Sequence, residues 1–327
     1  MQVEIDIIED DILNKYPKVL DTLLCNQTTN QNIIWATDNY QNFGANYSFS
    51  SPISTNLITG SNSKVIMPRV LKNKELQRTR VKEMAEVYTP SWVCNDQNNS
   101  IDNDWFGKKN IFNKRVIRAD GSVSWRVNKN KIVFPKDKTW KDYVNSIVLE
   151  ITCGEAPYLA SRYDATNGKY IAVKSRIGLL DRKLRVISEN VNDNKEWLSC
   201  TKRAYQNTYG YEFHGDSLLL ARESLLYTFI ENYSEKFNDE PKLVDIQEIA
   251  HIISWNIWQM DGLKFVIPHS CTSKVKENKN LFDDLEKKVI KCKGCEKNDK
   301  NFHNGIYCTI MDWTKKEPIR FVDLTQG

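Results

Sequence analysis

The sequence predicts an α/β protein with a mostly parallel β-sheet. Its 327 residues provide enough chain for one large domain with an appendage, or for two domains. Hydrophobic residues make up 40% of the chain and charged residues 27%, which is typical of a folded protein with a full-sized core. From Tyr143 onward, short apolar segments alternate with segments of helical periodicity. This alternation indicates parallel strands connected by helices.

The first 80 residues are predicted to form a helical and irregular extension. Residues 10–24 place apolar side chains at helical spacing, and Pro17 divides this segment into two short helices. Residues 28–62 are polar and contain breakers, which indicates irregular structure or a β-hairpin. We therefore place the extension at residues 1–80, the main domain at 81–268 and a C-terminal segment at 269–327.

The main domain is predicted to alternate strands with helices. Short apolar runs predict strands at 146–152, 209–213 and 256–260, and helical periodicity predicts helices that begin at 156 and span 194–207, 216–229 and 244–253. A short amphipathic helix at 282–290 and a closing strand at 319–324 are expected in the C-terminal segment. Ligands of open parallel sheets bind at the carboxyl ends of the strands, so the functional residues are sought there.

Charge and composition restrict the class of partner. With 46 basic and 42 acidic residues, the net charge of +4 is too small for binding nucleic acid by bulk charge alone. Basic residues do gather between 115 and 138 near several aromatic residues, which is compatible with a phosphate-binding surface. A solvated basic face over buried aromatic rings is the interpretation that we favour for this stretch.

The chain is expected to be cytoplasmic. No apolar stretch approaches the roughly 20 residues that a membrane span requires. The first eleven residues contain five acids, whereas a signal peptide begins with basic and then apolar residues. The eight cysteines do not form the dense framework of a small disulfide-rich protein, so they are predicted to be reduced thiols.

Four segments of the main domain carry the functional prediction. They are AEVYTPSWVCN at 85–95, LEITCGEAPYL at 149–159, YGYEFHGD at 209–216 and NIWQMDGL at 256–263. In this order they resemble the cofactor-binding segments of adenine-N6 DNA methyltransferases of the gamma type, which belong to restriction–modification systems. The resemblance covers about residues 80–265, and no single segment is specific without the others. It implies a class I methyltransferase fold with a Rossmann-like sheet and S-adenosyl-L-methionine as cofactor.

The resemblance also implies a role for each matched residue. The residues that correspond to the cofactor-binding positions of the family are Tyr88, Thr89, Pro90, Glu150, Cys153, Gly154, Glu212, Phe213 and Asp261. The Tyr-Thr-Pro segment would pack against the methionine end, and Glu150 with the following turn would flank its ammonium and carboxylate. Glu212 would accept both ribose hydroxyls, Phe213 would stack on the adenine, and Asp261 would accept from its amino group; acceptor-only carboxylates suit these donors.

The sequence departs from the family in three places. Ile151 stands where the family has proline, and Ala156 stands where it has a second glycine. More importantly, the base-binding Asn-Pro-Pro-Tyr motif is missing, because no two of the nine prolines are adjacent. This motif holds the flipped base during methylation of an exocyclic amine. No catalytic residue is therefore assigned to this chain.

Three explanations of the missing motif are open. The chain is a cofactor-binding subunit whose partner chain supplies the Pro-Pro-Tyr motif and the target recognition, a catalytically inactive subunit, or a chain that ends before the motif. We favour the first, because the cofactor side is largely intact while the base-binding side is wholly absent. It predicts a second methyltransferase subunit and double-stranded DNA as partners, and a methyl transfer to adenine N6 or cytosine N4. A non-catalytic DNA-binding or scaffolding subunit is the alternative.

The late cysteines predict a second site. Cys292, Cys295, His303 and Cys308 form a C-x2-C-x7-H-x4-C array, and two thiolates separated by two residues reach one tetrahedral zinc ion. Cys271 or His269 is expected to substitute for one ligand if the spacing of His303 and Cys308 is unsuitable. Buried or solvated thiols without a metal, and redox chemistry, are the open alternatives.

Overall fold

The structure is a computed structural model that describes residues 5–72, 74–84, 89–279 and 285–325. Its helices are α1 (Glu9–Lys15), α2 (Val19–Leu24), α3 (Lys74–Met84), α4 (Ser91–Phe106), α5 (Trp140–Asn145), α6 (Leu179–Asn190), α7 (Asn194–Gln206), α8 (Gly215–Phe237), α9 (Leu243–Asn256) and α10 (Lys293–Lys297). Its strands are β1 (Cys25–Asn26), β2 (Gln31–Asn32), β3 (Asn113–Ile117), β4 (Val123–Val127), β5 (Val148–Glu150), β6 (Thr208–Glu212), β7 (Ile257–Gln259), β8 (Lys274–Lys279), β9 (Leu285–Ile290), β10 (Thr309–Asp312) and β11 (Glu317–Arg320).

A parallel sheet of three strands lies at the centre of the fold. Its order is β5-β6-β7, with Val148 opposite Thr208 and Gly210 opposite Ile257. Helices α6 and α7 connect the first pair of strands, and α8 and α9 connect the second pair. The α/β class and the parallel sheet are thus confirmed. Three strands make up about half of a six-stranded doubly wound sheet, so the complete Rossmann-like sheet remains a proposal.

The remaining strands pair as antiparallel two-stranded ribbons. These are β1 with β2, β3 with β4, β8 with β9, and β10 with β11. The strand β9 corrects the predicted helix at 282–290, of which residues 282–284 lie outside the described part of the chain. In so short a segment, antiparallel pairing with β8, in which Ile290 lies opposite Lys274, outweighs the helical periodicity. No helix that the structure describes is long and apolar enough to cross a membrane.

One large core joins the N-terminal extension to the helices of the main domain. Fully buried side chains of the extension share this core with side chains of α6 to α9; they include Ile12, Leu20, Leu23, Trp35, Leu180, Trp197, Leu218, Phe229 and Ile249. The aromatic residues of the basic stretch also belong to it, since the rings of Trp105, Phe106, Phe112 and Phe134 cluster around Tyr143. These rings support a hydrophobic core rather than a nucleic-acid surface.

A second, smaller core lies under the C-terminal ribbon. The side chains of Tyr211 and Trp258 on one face of the sheet pack with Ile310 and Phe321 of the C-terminal segment. The ring centroids of Trp258 and Phe321 are 5.1 Å apart. This core fixes the ribbon β10-β11 beside strands β6 and β7, and it does not include residues of β5.

Candidate site at the carboxyl ends of the parallel strands

The loop that follows β5 has an unusual backbone. Thr152, Gly154 and Ala156 all adopt left-handed conformations, with φ of 46°, 54° and 57°. Glycine adopts this conformation freely, but Thr152 and Ala156 are strained in it. Ala156 therefore adopts a backbone conformation that glycine adopts without strain. The sequence predicts a helix that begins at residue 156. The left-handed conformation of Ala156 explains why no helix begins there.

Glu150, the last residue of β5, turns its carboxylate back onto this loop. The carboxylate accepts hydrogen bonds from the backbone N–H of Leu159 at 3.2 Å and of Tyr158 at 3.5 Å. Burial raises the pKa of Glu150 well above its ordinary value, and the negative charge of Glu212 raises it further. The two glutamates therefore lie close enough to interact electrostatically.

Glu212, the last residue of β6, makes a direct contact with the same loop. One carboxylate oxygen accepts from the backbone N–H of Gly154 at 2.9 Å, and the other accepts from the N–H of His214 at 3.1 Å. The loop is also tied to the strand through Cys153, whose N–H donates to the carbonyl of Tyr211 at 2.9 Å. The parallel register of β5 and β6 thus brings two separate sequence motifs together.

Asp261 follows β7 and organises a tight turn. Its carboxylate accepts from the N–H of Leu263 at 3.1 Å and of Lys264 at 3.2 Å, and the ammonium of Lys264 lies 3.0 Å from its other oxygen. His269 lies nearby: burial lowers its pKa first, the charge of Lys264 lowers it further, and Asp261 opposes the change. The third predicted acid is therefore held mainly by its own turn.

Phe213 lies between the second and third motifs. Its ring centroid is 5.6 Å from that of His269 and 5.1 Å from that of His214. The carbonyl of Phe213 accepts from the side-chain amide of Gln259 at 2.9 Å, which joins the ends of β6 and β7. His269 contacts Phe49 on its other side, with ring centroids 4.7 Å apart. The sequence indicates His269 only as a substitute zinc ligand, because its contact with Phe213 joins residues that are far apart in the chain.

The Tyr-Thr-Pro segment is described only in part. Tyr88 lies outside the described residues, while Pro90 immediately precedes α4. Burial raises the pKa of Tyr158, and a hydrogen bond between its hydroxyl and Thr89 partly offsets this rise. Burial raises the pKa of Cys94 to about 12, and the negative charge of Glu150 adds to the rise. Thr89 and Pro90 therefore lie beside the loop that follows β5.

Two cavities lie away from these residues. The larger has a volume of about 630 Å³ and lies between the ribbon β3-β4 and helices α6 and α8, where Phe112, Arg182 and Arg185 line it. The smaller, of about 360 Å³, is lined by Trp125 and Tyr170 among others. Neither is lined by any of the residues that were predicted to bind the cofactor. The charged groups of the larger cavity are mostly paired, as in Arg185, whose Nε donates to Glu189 and whose Nη2 donates to the backbone carbonyls of Asn128 and Asn130.

The C-terminal segment brings three cysteines and one histidine together. The ligand atoms of Cys271, Cys292, Cys295 and His303 all lie within 4.8 Å of one another, and this group could bind a metal such as zinc. Cys308, which the spacing had predicted as a ligand, is not part of the group. It is fully buried in the second core, where its Sγ lies 3.3 Å from the carbonyl oxygen of Gln259. Cys271, the predicted substitute, takes its place.

No protein-family model, curated protein or solved structure matches this chain. The function is therefore inferred from the residues of the site. The carboxyl ends of β5, β6 and β7 present three acids, an aromatic ring and a strained loop with a glycine at its centre. Carboxylates at such an edge can accept hydrogen bonds and attract positive charge.

Proposed function

We propose that the carboxyl ends of β5, β6 and β7 bind S-adenosyl-L-methionine, and that this chain is the cofactor-binding subunit of a split DNA methyltransferase. The observation that carries the proposal is the approach of two separate motifs at one edge of the sheet, where Glu212 accepts the N–H of Gly154. Ligands of parallel sheets bind at this edge. The acceptor would be adenine N6 or cytosine N4 in double-stranded DNA.

The charge of the cofactor supports this assignment. S-adenosyl-L-methionine carries a sulfonium and an ammonium against one carboxylate, so its net charge is positive. Glu150 and Glu212 are negative when ionised, and each raises the cost of ionising its neighbours when no cation is present. A bound cation would remove that cost.

The individual roles follow from acceptor geometry. Glu212 would exchange its backbone partners for the two ribose hydroxyls, since a carboxylate has two acceptor oxygens and no donor. Phe213, which already packs beside His269, would contact the adenine ring, and Asp261 would accept from its amino group. Glu150 would receive the ammonium at the start of the strained loop. Within this arrangement the chain would orient the methyl donor and keep water from it, and both effects favour an in-line displacement.

The exposed edge of the sheet supports the need for a partner. In the described part of the chain, β5 is an edge strand. Leu149 of β5 is 44% exposed, and Ile147 and Ile151, which flank the strand, are 72% and 64% exposed. Strands of parallel sheets are normally covered on both faces, so we propose that a strand of the second subunit pairs here and carries the base-binding motif with it.

Titration calorimetry with S-adenosyl-L-methionine tests the cofactor site. We expect a dissociation constant on the order of micromolar, and Glu212→Ala should weaken binding by at least about tenfold, which corresponds to about 1.4 kcal/mol. Glu240→Ala is the matched control, because Glu240 is an exposed glutamate whose carboxylate pairs with Lys15 on the surface. Circular dichroism of both variants would verify that they fold.

One observation favours the alternative of a non-catalytic scaffolding subunit. Each of the three acids already accepts hydrogen bonds from backbone N–H groups, and the two described cavities lie elsewhere. If neither the isolated chain nor its complex with a Pro-Pro-Tyr subunit produced heat with the cofactor, the alternative would be preferred. Methylation of DNA by the isolated chain would contradict the split arrangement.

A further inference from the structure

We propose that Cys271, Cys292, Cys295 and Nδ1 of His303 hold one zinc ion, and that this ion fastens residues 292–303 to the loop that follows β7, which contains Cys271. The inference is independent of cofactor binding. It also changes the ligand set that the spacing of the cysteines suggests, because Cys271 lies 21 residues before the knuckle and replaces Cys308.

The distances between the ligand atoms match a zinc tetrahedron. Bonds of about 2.3 Å to sulfur and about 2.0–2.1 Å to nitrogen, at tetrahedral angles, place each sulfur about 3.5–3.6 Å from the nitrogen. The Sγ atoms of Cys271, Cys292 and Cys295 lie 3.5, 3.7 and 3.6 Å from Nδ1 of His303. Three sulfurs at nearly equal distance from one nitrogen leave room for the ion at their centre.

The backbone between Cys292 and Cys295 is shaped for this arrangement. A Cβ atom on Gly294 would lie 2.7 Å from Nδ1 of His303, so only glycine lets the ring approach the two cysteines. The N–H of Asn304 donates to the Sγ of Cys292 at 3.2 Å. An N–H donor stabilises a thiolate, which is the form that binds metal.

Hydrogen bonds between backbone and side-chain groups hold the residues on either side of Cys271 against residues 304–306. Thr272 and Asn304 are joined in both directions, at 3.1 Å and 2.8 Å. The N–H of Ile306 donates to the hydroxyl of Ser270 at 3.0 Å. Gly305 packs closely on this side as well, since a Cβ there would lie 3.0 Å from the Sγ of Cys271. The fourth ligand is thus positioned by its surroundings.

Four protein ligands leave no coordination position for water or substrate, so the ion would be structural. It would connect Cys271, in the loop after β7, to His303, which lies 32 residues later in the chain. The same two segments meet again where Val266 bridges both Asp261 and Tyr307. Zinc would therefore stiffen the turn of Asp261 and the adjoining loop that places His269 against Phe213.

Metal analysis of two single variants tests the ligand set. The purified wild-type chain should contain one zinc ion per chain, Cys271→Ser should contain less than about half of one, and Cys308→Ser should retain the ion. Cobalt substitution should give the intense visible absorption of a tetrahedral thiolate site in the wild type and lose it in Cys271→Ser. Retention of zinc by Cys271→Ser together with its loss in folded Cys308→Ser would overturn the assignment.

Cys295→Ser provides a variant that is expected to fold, because Cys295 is exposed while Cys308 is buried. Its zinc affinity, measured by competition with a chromogenic chelator, should decrease by more than the about 10- to 100-fold cost of losing an outer-sphere contact. A wild-type chain that binds neither zinc nor cobalt after reconstitution would also overturn the proposal.

Hydrogen exchange tests the structural role. Removal of zinc by a chelator should increase exchange in residues 261–272 and 292–308 and leave α6 unchanged. Unchanged exchange in 261–272 would contradict the fastening role. Both readouts are obtained without S-adenosyl-L-methionine, so failure of the cofactor proposal would leave these outcomes unaffected.

Discussion

Glu150 is the residue on which the electrostatics of the candidate site depend most. It is half-buried, it lies near a second acid, and its only hydrogen-bond donors among the described residues are the backbone N–H groups of Tyr158 and Leu159. Burial first and the charge of Glu212 second raise its pKa. In the ligand-free protein Glu150 is therefore more readily protonated than an ordinary glutamate.

This raised pKa makes cofactor binding dependent on pH. An ammonium needs the ionised carboxylate, so binding should release a proton and the affinity should increase as the pH rises toward the raised pKa. Calorimetry in two buffers with different ionisation enthalpies would measure the proton release, and titrations between about pH 6 and about pH 9 would measure the affinity.

Glu150→Gln is the matched variant for this experiment, because glutamine keeps the shape of the side chain but cannot ionise. It should bind the cofactor about tenfold more weakly or worse, and without the pH dependence. Equal proton release by the wild type and by this variant would show that another group titrates.

The zinc ligands show what sequence spacing can and cannot determine. Cys292 and Cys295 were recognised because two residues between thiols fit one metal, and His303 followed as the next ligand in the chain. Cys308 was chosen as the nearest remaining cysteine, but it is directed into the second core. Cys271 is remote in sequence and reaches the cluster only through the pairing of its loop with residues near 304, which local patterns do not reveal.

At the level of elements, β5 is the least protected part of the sheet. Its neighbours β6 and β7 are covered by the C-terminal ribbon, whereas Ile147, Leu149 and Ile151 are exposed. A strand with an open edge and an apolar face readily pairs with another strand. The open edge is therefore the surface on which the proposed second subunit is expected to add.

Leu149→Lys combined with Ile151→Lys should prevent this association. Both side chains are exposed, so the free energy of unfolding should change by only about 0.5 kcal/mol. Co-purification with a companion that carries the Pro-Pro-Tyr motif should be lost. Val133→Lys, at a residue that is 80% exposed elsewhere on the surface, should leave co-purification intact; continued association of the double variant would argue against this edge.

The three parallel strands were predictable because each is short, apolar and bounded by polar residues. The predicted segments 146–152, 209–213 and 256–260 contain or overlap β5, β6 and β7. The division of residues 10–24 into α1 and α2 around Pro17 was also correct. The helix expected from 156 is absent because Ala156 adopts φ of 57°, and a tertiary contact of Glu150 captures the N–H groups that follow. Helix α6 was missed altogether.

For the molecule as a whole, a buried ion cluster joins the N-terminal extension to the main domain. Asp216 at the start of α8 accepts from the hydroxyl of Tyr40 at 2.7 Å and pairs with Arg80 at 2.8 Å and Lys72 at 3.2 Å. Burial alone would raise the pKa of Asp216, but the charges of Arg80 and Lys72 outweigh it and hold the pKa well below its usual range.

Asp216→Asn should destabilise the protein by about 3–5 kcal/mol at neutral pH, because two buried cations lose their partner. A lowered folded pKa supplies stability above the unfolded value of 3.8, and this stability is lost as the pH falls further. The wild type should therefore lose stability below about pH 4 more steeply than the variant. Chemical denaturation at several pH values would measure both effects.

Asp323→Asn is the control for this comparison, since Asp323 forms an exposed ion pair with Arg320. Exposed pairs contribute little, so its unfolding curve should resemble that of the wild type at every pH. If the free energy of unfolding of the wild type and of Asp216→Asn decreased equally as the pH fell, the assigned role of Asp216 would be contradicted.

The core shared between the extension and helices α6 to α9 has a consequence for how the gene can be dissected. Trp35 and Leu23 are buried among side chains that lie more than 150 positions later in the chain. A fragment that starts at residue 81 would expose the apolar side chains of α8 and α9 that the extension covers, and it would therefore aggregate. A truncated chain would thus lose activity because it misfolds. Point substitutions in the full-length chain are therefore the better way to test the role of each segment.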